Sequence, residues 1–159
     1  QGVLFVTPEY NRSIPGVLKN AIDHASRPYG QSAWAGKPAG VLGTSPGATG
    51  TCMAQQHLRN ILATLDMPTL GQPEAFIQAK DELFDAAGNI GADSKKFLQN
   101  WTDLYVTWVK KLWYSATAGR SAPIAGRRRC YFWPTTVIAA LPMTGADMGD
   151  RASLGMATR

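Results

Sequence analysis

The stretch Val3–Asn20, VLFVTPEYNRSIPGVLKN, constrains the chain more than any other. Val3, Leu4, Phe5 and Val6 form a short apolar run of β-branched, aromatic and aliphatic residues. A run without polar alternation fits a parallel strand covered on both faces. Pro8 stops it, and the polar loop Pro8–Ser13 carries one aromatic residue, Tyr10. Pro15 then suits the first turn of a helix, where a missing N–H costs nothing. Leu18, Ala21, Ile22 and Ala25 continue at helical spacing. Ligands of open α/β sheets bind beyond the carboxyl ends of strands, and this loop occupies such a place.

Further units follow. Residues 37–45, KPAGVLGTS, read as a second buried strand, with Gly40 and Gly43 leaving room for close approach. A small-residue loop, Ser45–Thr51, leads into a helix carrying Met53, His57, Leu58, Ile61, Leu62 and Leu65 on one face. Ala75-Phe76-Ile77 is a short extended piece, and Gly88-Asn89 marks a turn. Asp93 offers an N-cap to a helix with Phe97, Trp101, Leu104, Tyr105, Trp108 and Leu112 at three-and-four spacing. Strand, helix, strand, helix, strand, helix implies a parallel sheet with right-handed crossovers.

The residues of the opening stretch resemble a known family. Thr7-Pro8-Glu9-Tyr10-Asn11, then Ser13-Ile14-Pro15-Gly16, then Leu18-Lys19-Asn20-Ala21-Ile22-Asp23 is similar to the NAD(P)H-dependent FMN reductases, closest to their chromate- and quinone-reducing branch. The motif is specific because it is long, ordered and spans two elements. The resemblance runs from about Gly2 to about Leu112. It implies a flavodoxin-like three-layer α/β sandwich, with FMN as cofactor and NADPH or NADH as co-substrate. It implies that Pro8, Glu9, Tyr10 and Asn11 border the flavin ring, with Ser45, Pro46 and Gly47 on another edge. Pro46 stands where relatives carry Ser, which puts a side-chain bond there in doubt. The resemblance assigns no catalytic side chain, since the cofactors carry the hydride chemistry; Glu9 is read as a loop-ordering residue. Asn11 and Ser13 are expected to bond to nearby backbone. The acceptor would be a quinone, a flavin, chromate or a similar small molecule. The alternative is a non-catalytic flavin-binding module or a flavodoxin-type electron carrier.

The family holds the FMN phosphate in an N-terminal Gly/Ser/Arg loop that nothing here matches. The chain also starts abruptly, with a core strand directly after Gln1. The expectation is therefore an N-terminally truncated domain over residues 1–112, impaired in FMN binding and turnover, with Val3–Val6 left as a bare sheet edge. A homodimer or homotetramer is expected of the full-length protein.

Composition divides the chain. Residues 113–159 hold six Arg against two Asp, a net of +4 of the overall +5. This stretch has no Lys, Glu, Gln, Asn or His and no persistent period. It reads as an atypical Arg/Ala/Gly-rich tail, disordered or non-native. The basicity thus belongs to the tail, which argues against nucleic acid as a partner despite a pI near 9.4. No apolar run approaches the roughly 20 residues of a membrane span. Cys52 and Cys130 lie far apart and suggest neither a disulfide framework nor a metal knuckle, so a reducing cytoplasm is the default. His24 and His57 have no metal-ligand partner at a recognisable spacing. Cys52, in a helix first turn with no His nearby in sequence, reads as a structural small residue. Trp101, Tyr105 and Trp108 read as core of the last helix.

Overall fold

The computed structural model describes residues 2–118, 136–139 and 156–157. Strands β1 (Val3–Val6), β2 (Ala39–Ser45) and β3 (Phe76–Gln78) alternate with helices α1 (Gly16–Ala25), α2 (Cys52–Thr64) and α3 (Ala92–Ala118). Two further strands, β4 (Thr136–Ala139) and β5 (Met156–Ala157), complete a sheet of order β3-β2-β1-β4-β5. β1 is parallel to both β2 and β4, β2 is parallel to β3, and β5 alone runs antiparallel.

The two faces of the sheet are covered unequally. Val3, Phe5, Ala39 and Val41 point to the face beneath α1 and α2, and pack with Leu18, Ile22, Leu58 and Leu62. The Trp34 ring lies 5.9 Å from Phe5, and its Nε1 donates to the Ile22 carbonyl at 2.8 Å. Leu4 and Leu42 take the other face, where Trp101, Tyr105 and Val109 of α3 cover them. The Trp101 and Tyr105 rings stack at 5.6 Å, so these aromatics are core, as their period predicts. Gly40 makes this contact possible: a Cβ there would stand 2.8 Å from the Tyr105 ring.

Three sequence expectations change. Asp93 lies inside the first turn of α3, which starts at Ala92, so it supports the helix dipole rather than capping it. The helix also continues past the expected boundary at Leu112, to Ala118. Finally, the far edge of β1, expected bare, is paired: Val3–Val6 align with Thr136–Ala139. Thr136, Val137 and Ile138 are three consecutive β-branched residues, which suit a ladder position however irregular their flanks. Arg127–Arg129 and Tyr131–Trp133 lie outside the described residues.

Two consequences are measurable. A Cβ at Gly43 would collide with the Thr7 carbonyl oxygen and stand 2.6 Å from Thr51 Oγ1. Gly43→Ala should therefore cost at least about 2 kcal/mol in urea unfolding, at the severe end of overpacking. Tyr105 Oη is buried with no hydrogen-bond partner among the described residues, and burial raises its pKa well above the ordinary tyrosine range. Tyr105→Phe removes only that unsatisfied group. It should match or exceed the wild-type stability by up to about 1 kcal/mol, and a clear loss in the urea midpoint would contradict the burial picture.

Candidate functional site

The carboxyl ends of β1 and β2 lie side by side, since Val6 pairs with Leu42 and the Thr7 N–H donates to the Leu42 carbonyl at 3.1 Å. The first loop, Pro8–Ser13, leaves β1 here. Tyr10 and Ser13 exchange two backbone hydrogen bonds, 2.9 and 3.0 Å, across the turn residues Asn11 and Arg12. Both turn residues have positive φ, 50° and 64°. That is the backbone of a tight two-residue hairpin turn, and Asn at its first position is favoured because it tolerates the left-handed region. Tyr10 is exposed at the tip.

Side chains at both ends of this loop reach α2. Glu9 Oε2 accepts from the Ala54 N–H at 3.0 Å, so Glu9 orders the loop as its reading predicts. Ser13 Oγ lies 3.0 Å from His57 Nδ1, one helical turn further along α2. Its hydroxyl thus bonds a side chain, where a bond to nearby backbone is the sequence expectation. His57 is exposed on the flank of α2, off the apolar stripe. Beside the loop runs an open cleft of about 440 Å³ between α1 and α2, lined by Ile14, Gly16, Lys19, Asn60 and Ile61.

The second loop, Ser45–Gly50, leaves β2. Ser45 Oγ donates to the Gly50 carbonyl at 2.6 Å, and the Gly50 N–H donates to the Gly47 carbonyl at 2.9 Å. Gln78 Nε2 reaches the Pro46 carbonyl at 3.2 Å. Gly50 has φ +57 and sits against β3, where an added Cβ would stand 2.8 Å from the Ile77 nitrogen. Beneath the loop Gln55 is fully buried: its Nε2 donates to Thr51 Oγ1 at 2.9 Å and to the Ala75 carbonyl at 2.8 Å. From sequence, Gln55 is expected beside the apolar stripe of α2, with His57 and Arg59, as an interface or surface residue; it is fully buried instead, because Thr51 and the Ala75 carbonyl satisfy its amide nitrogen. Its only sequence signal is the four-residue helical spacing from Thr51.

The two loops share one property. Among the described residues, the N–H groups of Glu9, Asn11, Arg12, Gly47, Ala48 and Thr49 have no acceptor. Open donors on two adjacent loops suit a flat heterocycle with carbonyl oxygens along its edge. Cys52, half-buried and a free thiol, stands at the start of α2 behind the second loop. Among the described residues, no three His, Cys, Asp or Glu side chains converge on a metal-sized site, and no helix is long and apolar enough to cross a membrane.

A family model described as NADPH-dependent FMN reductase matches residues 1–82, which contain both loops. The chain belongs to the NADPH-dependent FMN reductase family. A 2-hydroxy-1,4-benzoquinone reductase from Burkholderia sp is 56% identical over 110 residues, 69% of this chain and 60% of that protein. A quinone reductase from Pseudomonas putida is 54% identical over 108 residues, 68% of this chain and 58% of its own length. The chain thus spans about three fifths of the curated relatives it matches. Among solved structures, FerB, a flavoenzyme NAD(P)H:(acceptor) oxidoreductase from Paracoccus denitrificans, superposes with a TM-score of 0.65. It is 50% identical, with 69% of this chain and 61% of FerB covered. This member of the FMN reductase family accordingly has a flavodoxin-like α/β fold.

The second loop offers a direct test of this geometry. Gly50→Ala combines a left-handed backbone with a Cβ pressed on β3. It should destabilise the protein by about 2 kcal/mol and shift the amide resonances of Gly47–Thr49. Unchanged resonances would show that the loop does not depend on that close approach.

Proposed function

We propose that this chain is the ring-binding part of an FMN-dependent oxidoreductase that takes reducing equivalents from NADPH or NADH and delivers them to a quinone or similar small acceptor. The observation that carries the reading is the pair of adjacent loops with six backbone N–H groups that have no acceptor among the described residues. It is supported by more than 50% identity, over more than 100 residues, to proteins named quinone reductases. A free flavin or chromate belongs to the same acceptor class.

The residues present fit the ring of FMN. Pro8, Glu9, Tyr10 and Asn11 would line one edge, with backbone N–H groups facing the ring carbonyl oxygens and the exposed Tyr10 available as cover. Ser45, Pro46 and Gly47 would line the second edge. Ser45 is already bonded to the Gly50 carbonyl, so this loop would act through the Gly47 and Ala48 N–H groups rather than through side chains. That also removes the difficulty raised by Pro46, which contributes no donor. Bound FMN would supply the two-electron chemistry, accepting hydride from the nicotinamide and releasing it to the acceptor. No side chain of the two loops needs to move a proton for the first transfer. Glu9 is committed to the Ala54 N–H.

The phosphate end is different: among the described residues no Gly/Ser/Arg loop stands at this edge. Charge-assisted phosphate contacts are roughly twice as strong as neutral ones, so their absence should show in affinity. The same reading includes a reducing cytoplasm and assembly as a homodimer or homotetramer through the mixed polar and apolar flank of α2, which light scattering would check.

The test compares FMN with lumiflavin, which has the ring but no phosphate, by fluorescence quenching on this chain. Both should bind, with affinities within about threefold of each other, well under one 1.4 kcal/mol decade. NADPH consumption with added FMN and a benzoquinone should be slow but should need no separate reductase, which distinguishes an enzyme from an electron carrier. Absence of quenching by either flavin sinks the reading. FMN binding tens of times tighter than lumiflavin would mean that a phosphate cradle exists in this chain after all.

A further inference from the structure

Helix α2 begins without a cap of its own. Thr51 stands at its N-cap, yet its side chain accepts no hydrogen bond from a backbone N–H of the first turn. Its Oγ1 is instead the acceptor for Gln55 Nε2, at 2.9 Å. The first turn contains no acidic residue either. A helix start leaves N–H groups unsatisfied and carries the positive end of the macrodipole. Glu9 answers both needs from outside the helix. Its Oε2 accepts from the N–H of Ala54, the third residue of α2 and a position that a local cap normally serves, across a sequence separation of 45.

We propose that Glu9 is a positioning residue: a helix cap lent by the first loop, which fixes that loop's open N–H groups relative to those of the second loop. The geometry is economical, because the turn that Glu9 caps is the one that Gln55 anchors to the Ala75 carbonyl, beside β3. One short piece of α2 therefore holds both loops. Ser13 and His57 form a second tether, but that contact is exposed and competes with water. The Glu9 contact is partly buried and meets a charge with the helix N-terminus, so it carries the positioning.

The flavin arm of the test rests on the reading above; the exchange arm does not. Amide hydrogen exchange is measured at Ala54, Tyr10 and Ser13 in the wild type and in Glu9→Ala, Glu9→Gln and Ala63→Gly. Ala63 is exposed near the far end of α2, so Ala63→Gly weakens the helix without touching the loop. Glu9→Ala should speed exchange at all three amides by about fivefold or more, the factor expected for a lost cap. Glu9→Gln, whose side-chain carbonyl still accepts, should restore most of the protection. Ala63→Gly should lower the melting temperature comparably and leave Tyr10 and Ser13 unchanged. Where flavin binds, Glu9→Ala should weaken it by a similar factor, with recovery in Glu9→Gln and no effect of Ala63→Gly. Unchanged exchange in Glu9→Ala, or equal loosening of the loop in Ala63→Gly, overturns the proposal. If the wild type binds no flavin, the functional reading falls and the exchange comparison alone decides the cap.

Discussion

The site depends on how closely the ends of β1 and β2 approach. Gly43 leaves no space for a side chain between the Thr7 carbonyl and Thr51, and this absence lets the two strands, and the helix that follows the second, meet at one point. Both loops then leave the sheet within a few residues of each other: Pro8 follows Thr7, and Pro46 follows Ser45. A larger residue at position 43 would separate the strand ends and, with them, the two rows of open N–H groups. Flat ligands with acceptor edges need donors at fixed spacing. Here backbone geometry sets that spacing.

α2 converts this close approach into a rigid arrangement. Its first turn is fastened from three directions: Glu9 at the Ala54 N–H, Gln55 at the Ala75 carbonyl, and Gly50 pressed against β3. Each bond is worth only about 1 kcal/mol net, but a domain holds only about 5–15 kcal/mol in total. Contacts of this size, concentrated on one helical turn, decide local order at the sheet edge more than they decide global stability. The apolar face beneath α1 and α2 supplies the latter, with Phe5, Ile22, Leu58 and Leu62 inaccessible to solvent.

The α3 face is organised differently. Trp101 and Tyr105 stack on each other and close over Gly40, so two aromatic rings cover this face. The Trp101 Nε1 finds the Pro73 carbonyl at 2.7 Å, while the Tyr105 hydroxyl finds nothing among the described residues. The Trp101 ring nitrogen is thus satisfied, whereas Tyr105 keeps an unsatisfied polar atom in the layer that covers this face.

Much was legible in the sequence because it is local. The unalternated run Val3–Val6, Pro8 as a stop, Pro15 at a helix start and the apolar spacing of α2 and α3 each act through neighbouring residues, and each gives its element where the pattern places it, although Met53, Phe97 and Leu104, read on the apolar faces, are exposed. The resemblance carried by Thr7–Asn11 and Ser13–Gly16 reached the family. What the sequence could not express is contact between distant residues. The Glu9 cap spans 45 positions, Ser13 meets His57 across 44, and Gln55 meets the Ala75 carbonyl across 20. The pairing of β4 with β1 also has no local signature beyond three β-branched residues. Local propensity and period determined the elements and their order; tertiary packing alone decided which polar groups were left open at the sheet edge, because a donor is free only when the folded chain offers it no acceptor.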